Sequence, residues 1–380
     1  MHRSPRDERG GLGIPLGLPR LALVLLWASA PLAFAQDGSF SWIRATPEEV
    51  GMDRAQLLEA RDYALLGRED PHRGGSGMVT RRGKLVLSWG SPTALYQIKS
   101  ATKGVGVSAL GLAILDGRMA LNDRAKSFHP TLGFPPASNA ETGWLDQITL
   151  FHLATMTSGF AHDARYGPMR FEPGTKWSYS NAGADWLGEC LTLEYGQDLE
   201  TLLFERVFTP LGITKEHLTW GDNDYRPDRI EGIKRRELAS GIRANIDALA
   251  RIGYLYLRRG EWNGKRILPE SFVLAVSTSP PEVRGLPLQR ERNNPGASMH
   301  YGLLWWNNSD GAIADVPKDA FWAWGGMMGR DTETLILVMP SLDIVVARAG
   351  TGWGDGTIDY KFLEPFLAPI ARSAAARPPS

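Results

Sequence analysis

The chain contains very little cysteine and no excess of charge of either sign. Cys190 is the only cysteine among 380 residues, so no disulfide can form within the chain and a cysteine-rich metal centre is excluded. Basic and acidic residues number 42 each, which gives a formal net charge of zero. This balance gives no electrostatic reason to expect binding to nucleic acid or to an anionic membrane surface.

Several common catalytic patterns are also missing. The sequence has no His-Glu-x-x-His pair, the pattern typical of many zinc hydrolases. It has no Gly-x-Ser-x-Gly segment, which removes the usual α/β-hydrolase interpretation. The glycine-rich run Gly74-Gly75-Ser76-Gly77 precedes a predicted strand rather than a helix, so we interpret it as a turn and not as a phosphate-binding loop.

The long apolar run Leu21–Phe34 lies near the N-terminus and follows four arginines. It contains Pro31 and is about fifteen residues long, which is short against the roughly 20 residues that span a bilayer. Ala33-Phe34-Ala35 resembles a cleavage site, so we predict a bacterial-type signal peptide over residues 1–35 and a periplasmic or secreted protein over residues 36–380. A retained membrane anchor is the alternative. Cleavage would remove more arginines than acids and leave a slight acidic excess.

The first part of the remaining chain predicts helices on either side of a β-hairpin. Residues 46–66 are typical of a helix, with Thr46-Pro47 and two acids at its start. Residues 78–89 predict two strands joined by a turn that contains Gly83. A buried helix is predicted from Ser100 to Leu115.

Over the rest of the chain, the predicted secondary structure changes twice. Residues 118–260 are mostly helical in pattern, whereas the proline-rich stretch 279–299 predicts a long loop. Strands return afterwards, and a helix ends the chain. The strands are predicted at 302–306, 320–324, 334–339 and 344–348, and the last helix at 358–372. We therefore predict an α+β fold: an antiparallel sheet flanked by helices, plus an all-helical subdomain at about 118–260, with a site between them.

The run Ser100-Ala101-Thr102-Lys103 combines a nucleophile with a candidate base. Residues three apart on a helix are neighbours, with Cβ atoms roughly 5–6 Å apart, so the Lys103 amine can reach the Ser100 hydroxyl. A free serine is a weak nucleophile and needs such a partner. The alternative for this short pattern alone is a capped helix with a solvated lysine.

Two further motifs follow in a fixed order. They are Tyr179-Ser180-Asn181 and Trp324-Gly325-Gly326, and the sequence contains no other Tyr-x-Asn or Ser-x-x-Lys. With the Ser100 motif, they resemble the serine β-lactamase and penicillin-binding-protein superfamily, most closely the class C β-lactamase-like branch with its esterase and D-aminopeptidase relatives. The resemblance covers about residues 45–370 and implies the β-lactamase/transpeptidase-like fold.

The resemblance also implies roles for these residues. Ser100 would form an acyl-enzyme, Lys103 and Tyr179 would move protons, and Asn181 would contact the substrate and Lys103. Trp324, Gly325 and Gly326 would line the substrate site, and the N–H groups of Ser100 and Met327 would bind the oxyanion. No metal or other cofactor is implied. Individually, Tyr179, Trp324 and Met327 could instead be core residues, and Asn181 could cap a helix starting at Ala182.

Trp324 departs from the pattern of the β-lactam-recognising members, which place a cation at this position. The tryptophan puts β-lactam and D-alanyl-peptide substrates in doubt and favours esters, although Arg330 offers a cation nearby. Trp305, Trp306 and Trp322 could add an apolar surface or could belong to the core. We predict a serine hydrolase of carboxylesterase type that acts on a small molecule. The alternatives are a D-amino-acid peptidase or amidase, a weak β-lactamase, and a non-catalytic binding module of the same fold.

Overall fold

A computed structural model describes residues 41–65, 75–162, 165–290, 296–326, 333–351 and 360–375. By its contacts the chain separates into residues 1–31 and residues 32–380, and the first unit lies outside the described ranges. The predicted signal peptide therefore also lies outside them. Within the described ranges, no helix has the length and apolar character needed to cross a membrane.

The described ranges contain helices and strands in alternating groups along the chain. The α-helices are α1 (Arg54–Leu65), α2 (Ala101–Gly106), α3 (Ser108–Leu115), α4 (Leu150–Ala154), α5 (Asn181–Tyr195), α6 (Leu199–Leu203), α7 (Ile246–Leu257), α8 (Glu270–Ser277) and α9 (Glu364–Ala375). The strands are β1 (Ile43–Arg44), β2 (Ser76–Arg81), β3 (Lys84–Trp89), β4 (Tyr96–Gln97), β5 (Leu218–Trp220), β6 (Arg229–Ile230), β7 (Ile233–Lys234), β8 (Ile242–Ala244), β9 (Glu261–Trp262), β10 (Lys265–Arg266), β11 (Trp306–Asn307), β12 (Phe321–Gly326), β13 (Glu333–Met339) and β14 (Ile344–Ala349).

The main sheet joins the early hairpin to the late strands, as the sequence predicts. Its strand order is β1-β3-β2-β14-β13-β12-β11. All neighbouring pairs are antiparallel except β1 and β3, which run parallel and make the sheet mixed at that edge. The prediction of an antiparallel sheet is thus correct for every pair but this one. The short strand β1 was not predicted, because two residues carry no recognisable period.

Helices cover both faces of this sheet. Alternate residues of a strand point to opposite faces, so Val345 and Arg348 of β14 lie on different sides. On one side, a Cβ built at Gly253 of α7 would lie 2.6 Å from Val345, so this helix packs directly on the strands. On the other side, Arg348 donates to the carbonyl of Ala64 in α1. The sheet is therefore the buried centre of the fold.

The middle of the chain is less uniformly helical than we predicted. Residues 118–260 include α4, α5 and α6, but also the short strands β5 to β8. Strands β5 and β8 form a three-stranded sheet with β4, in the order β4-β8-β5. Strands of two or three residues give almost no alternation pattern, so the sequence offers little sign of them. Because β4 lies immediately before the Ser100 motif, this small sheet helps to position the candidate nucleophile.

Candidate active site

A sharp turn places Ser100 at the start of α2. The N–H of Ile98, just after β4, donates to the carbonyl of Ile242 over 3.0 Å. Lys99 then takes a positive φ of 50°, which is uncommon for a residue with a side chain. The chain turns there and enters the helix at Ser100, which remains partly exposed. The small sheet and this turn therefore fix the hydroxyl at a helix start.

Two glycines allow the main sheet to approach α2 closely. A Cβ at Gly325 of β12 would lie 2.0 Å from the carbonyl oxygen of Ile98 and 2.9 Å from the nitrogen of Ser100. A Cβ at Gly104 of α2 would lie 2.5 Å from the Cβ of Ala323. Side chains at these two positions would push the helix and strand apart. Gly325 therefore brings the third motif against the Ser100 motif, as the sequence predicts.

Lys103 is held in place by three oxygen atoms. Its side chain is completely buried, and Nζ lies 3.2 Å from Ser100 Oγ. Nζ also donates to Asn181 Oδ1 and to the carbonyl of Ala239, each at 2.7 Å. Since a buried amine must satisfy its N–H groups, these contacts hold it beside the serine hydroxyl. A solvated lysine, the alternative considered for the isolated motif, does not fit this geometry.

Tyr179 faces the amine with its aromatic ring. Lys103 Nζ lies 4.9 Å from the ring centroid of Tyr179. The tyrosine is partly exposed, and His162 Nδ1 lies 2.9 Å from its backbone carbonyl, to which it can donate. The sequence analysis did not assign His162 to the site, because a lone histidine in a loop carries no spacing signal. Ser100, Lys103, Tyr179 and Asn181 thus meet in one region although they come from distant parts of the chain.

Asn181 is the first residue of α5 rather than its cap. Ser180 caps the helix, with its Oγ accepting from the Gly183 N–H over 2.9 Å. The capping role that we considered for Asn181 is therefore wrong. The Asn181 amide oxygen accepts a hydrogen bond from Lys103 instead.

A second buried group of α5 lies behind the lysine. Asp185 Oδ1 accepts from the Ala239 N–H over 2.9 Å, and the carbonyl of the same residue accepts from Lys103. Burial raises the pKa of Asp185 to about 7, against the lowering effects of Arg226 and of the Ala239 hydrogen bond. The sequence analysis missed Asp185. The available signal is an acid four residues after Asn181 in an otherwise apolar helical segment.

Trp324 is nearly buried, and a carboxylate fixes its indole group. The indole N–H donates to Glu333 Oε2 over 2.7 Å, and Glu333 is fully buried. The ring of Trp324 stacks on Phe362 at a centroid distance of 6.4 Å. Position 324 therefore presents an apolar ring, and its polar atom is committed to Glu333.

The four tryptophans that we discussed as one apolar surface separate into two pairs. Trp306 stacks on Tyr179 at 6.2 Å and meets Trp324 edge-on at 5.8 Å, so these residues form a continuous aromatic wall. Trp305 and Trp322 are completely buried. The Trp305 indole donates to the Gly104 carbonyl beneath α2, so it supports the helix from the core.

Two residues predicted near the site fall outside the described ranges. The loop predicted at 279–299 lies next to the segment that carries Tyr179. Met327 and Arg330 belong to the undescribed segment 327–332, so the second oxyanion donor stays a prediction. The stretch 279–299 contains turns at 281–285 and a 3₁₀ helix at Ala297–Met299 in its described part. The N–H of Trp177 donates to the Pro287 carbonyl over 3.0 Å. The predicted loop thus lies beside the segment that leads to Tyr179.

Comparison with known proteins identifies both a family and a fold for this chain. A family model described as Beta-lactamase matches residues 60–360, which is most of the chain. Among curated proteins, lovastatin esterase from Penicillium rubens is 27% identical over 176 residues. The match covers 37% of this chain and 41% of that protein, so the chain spans about two fifths of this relative.

Solved structures show the same fold at low sequence identity. Simvastatin synthase from Aspergillus terreus superimposes with a TM-score of 0.61 at 17% identity, covering 85% of this chain and 100% of that chain. A penicillin-binding protein homologue from Caulobacter crescentus superimposes with a TM-score of 0.63 at 15% identity, covering 88% and 99%. These similarities agree with the predicted β-lactamase/transpeptidase-like fold.

Proposed function

We propose that this chain, which belongs to the beta-lactamase family, is a serine hydrolase that cleaves carboxylic esters through an acyl-enzyme on Ser100. The observation that carries the proposal is the buried Lys103 amine, 3.2 Å from Ser100 Oγ and under the Tyr179 ring. A nucleophile with an adjacent base, itself oriented by further groups, is the arrangement that covalent catalysis requires. Here Asn181 and the Ala239 carbonyl orient the base.

The proposed cycle has two stages. Ser100 Oγ attacks the acyl carbon, and its proton passes to the Lys103 and Tyr179 pair. That pair then protonates the departing alcohol, which leaves the acyl group on Ser100. Water attacks the acyl-enzyme in the second stage and regenerates the serine. Lys103 and Tyr179 are treated as one unit because Lys103 Nζ lies 4.9 Å from the centroid of the Tyr179 ring.

The aromatic wall supports an uncharged acyl group. The Tyr179 ring lies 4.9 Å from Lys103 Nζ and stacks on Trp306, which meets Trp324 edge-on, and the Trp324 N–H is already bound to Glu333. A substrate carboxylate would find an indole ring here instead of the cation that β-lactam-recognising members carry. The ester chemistry in the name of lovastatin esterase also supports this substrate class.

The test compares hydrolysis of p-nitrophenyl butyrate by the wild-type protein, Ser100→Ala and the exposed-site control Ser91→Ala. We expect hydrolysis by the wild type and the control, and loss of at least about 100-fold in Ser100→Ala, since removal of a nucleophile eliminates the covalent route. Equal rates in the wild type and Ser100→Ala would refute the assignment of Ser100.

Two alternatives keep the fold and change the activity. For a weak β-lactamase or a D-amino-acid amidase, a chromogenic cephalosporin or a D-alanyl anilide would be turned over faster than the butyrate ester. For a non-catalytic binding module, a fluorophosphonate would fail to label Ser100. The polar groups around Lys103 favour catalysis, because a mere ligand pocket has no need of a buried amine beside a serine.

We also propose export of the protein, on the basis of the arginines and apolar run in residues 1–35. Expression of the full chain in a bacterial host with N-terminal sequencing would test it. A mature protein that starts near Gln36 in the periplasm or medium agrees with the proposal. An intact N-terminus on a cytoplasmic protein contradicts it.

A further inference from the structure

The buried carboxyl of Asp185 lies one helical turn from Asn181 on α5, and both side chains serve the same lysine. Residues four apart on a helix share a face. Asn181 contacts Lys103 directly, whereas Asp185 is connected to it through the backbone of one residue, Ala239. Asp185 Oδ1 accepts from the Ala239 N–H at 2.9 Å, and the Ala239 carbonyl accepts from Lys103 Nζ at 2.7 Å.

From this chain of contacts we infer that Asp185 is a positioning residue for the nucleophile: it fixes the backbone of Ala239 through its N–H, and the carbonyl of the same residue in turn fixes Lys103 beside Ser100. The inference rests on the proposed function, because it assigns a role in activating Ser100. Neither Asp185 nor Ala239 contacts the serine hydroxyl. They affect the reaction by fixing the position of Lys103 Nζ.

Asp185 is the group that holds the Ala239 N–H. The backbone after Ala239 has hydrogen bonds of its own, because the Ile242 N–H donates to Thr102 Oγ1 over 3.2 Å and the Gly241 carbonyl accepts from the Gly221 N–H over 3.0 Å. A carboxylate bond to an N–H is shorter and stronger than a neutral one, so an ionised Asp185 holds the Ala239 N–H more firmly.

Charged groups from several elements face Asp185. Arg226 and Lys103 favour its ionised form, and Glu237 disfavours it. Burial is the largest influence and raises the pKa of Asp185 to about 7. Its ionisation therefore falls within the range in which an enzyme assay can follow it. The positioning should weaken as the pH drops through this value.

The experiment measures the rate of phosphonylation of Ser100 by a fluorophosphonate, as a function of pH, in three variants. Asp185→Leu removes the acceptor, and Asp185→Asn retains an acceptor of the same shape but cannot ionise. Asn139→Leu is the control, because the buried Asn139 amide oxygen likewise accepts a backbone N–H, that of Met169 over 2.7 Å, and neither residue belongs to the Ser100 motif or to the small sheet before it. Circular dichroism and thermal melting establish that each variant is folded.

We expect Asp185→Leu to lower the rate at pH 8 by at least about tenfold, since an unpaired N–H costs enough to shift the backbone of Ala239. Asn139→Leu should lose stability and keep its rate. The wild-type rate should rise through an inflection near pH 7, and Asp185→Asn should lack that inflection. If Asp185→Leu does not fold, the pH profiles of the wild type and Asp185→Asn test the inference by themselves.

A wild-type rate in Asp185→Leu, or an unchanged pH profile in Asp185→Asn, would overturn the inference. Phosphonylation separates this result from the fate of the ester proposal. If Ser100 of the wild type reacts with the probe while butyrate esters are not hydrolysed, only the proposed substrate is wrong. If wild-type Ser100 does not react with the fluorophosphonate at all, both the proposed function and the inference are wrong.

Discussion

The indole N–H of Trp324 donates to the carboxylate of Glu333 on the neighbouring strand, over 2.7 Å. The two residues are diagonal neighbours across β12 and β13, because Trp324 pairs with Leu335 and Glu333 pairs with Gly326 in the register. Glu333 is fully buried, so its charge depends on such donors. The tryptophan of the third motif therefore has a structural partner that the motif alone does not reveal.

Trp324→Phe should weaken the fold without abolishing hydrolysis of a neutral ester. The phenylalanine keeps the ring contacts with Trp306 and Phe362 but removes a donor from a buried carboxylate, which costs about 1–3 kcal/mol. Denaturant unfolding of Trp324→Phe, Glu333→Gln and the double variant measures the coupling of the pair. Additive losses in the double variant would show that the hydrogen bond contributes nothing to stability.

Replacement of Lys103 by methionine should remove the base and preserve the volume. We expect a fall in kcat/KM for p-nitrophenyl butyrate of about 10²–10⁴-fold, the usual contribution of a positioned acid or base. Stability should also fall, because Asn181 Oδ1 and the Ala239 carbonyl lose their shared donor. Lys126→Met, at a lysine paired with Asp146, is the control and should retain activity. Comparable activity in both variants would remove Lys103 from the mechanism.

Gly325→Ala should separate the strand from the nucleophile. The added methyl would lie 2.0 Å from the Ile98 carbonyl oxygen, which belongs to the backbone and cannot rotate away. We expect a large loss of both activity and melting temperature. At Gly221 the nearest atom to an added Cβ is 3.5 Å away, an ordinary contact, so Gly221→Ala is the matched control. If the Gly325→Ala protein keeps wild-type kinetics, the close approach of β12 to Ser100 is incorrect.

A buried ion cluster in the helical region should make stability depend on acid pH. Burial alone would raise the pKa of Glu189, but the hydrogen bond from His129 and the charges of Arg226 and Arg235 hold it below its ordinary value of 4.5. A lowered carboxyl pKa stabilises the fold above the ordinary value, and this contribution disappears as the pH falls through the folded-state pKa.

Glu189→Gln should therefore cost about 3 kcal/mol at pH 7, because it leaves two buried guanidinium groups without their carboxylate. The difference from the wild type should persist when denaturant unfolding is repeated at pH 5 and should shrink as the pH falls below 4.5. A difference that stays constant over this range would show that the Glu189 charge does not stabilise the fold.

Much of the main sheet is predictable, because its strands are long enough to show a pattern. The hairpin at 78–89 and the strands at 334–339 and 344–348 appear near the predicted positions. The helix predicted at 46–66 instead starts at Arg54, because the chain turns at Gly51 with a positive φ of 75°. The predicted strand at 302–306 shortens to β11, and Leu304 takes a positive φ of 59°.

In the site, as in the sheet, residues in short local motifs are predictable from the sequence, whereas contacts between distant residues are not. Ser100, Lys103, Tyr179 and Asn181 belong to short motifs, so the sequence identifies them and the structure brings them together. Ala239 acts through its carbonyl oxygen, an atom that every residue possesses, so no sequence pattern marks it. Asp185 and Glu333 are single acids whose importance depends on burial, which follows only from the tertiary fold.

The central claim is that Ser100 is the nucleophile, and capture of the acyl-enzyme tests it most directly. Wild-type protein is mixed with p-nitrophenyl butyrate, quenched in acid during turnover, and analysed by intact mass and peptide mapping beside Ser100→Ala. We predict a butyryl group on the wild-type protein, located on Ser100, and none on Ser100→Ala. A butyryl group on another residue, or equal acylation of the two proteins, would contradict the account.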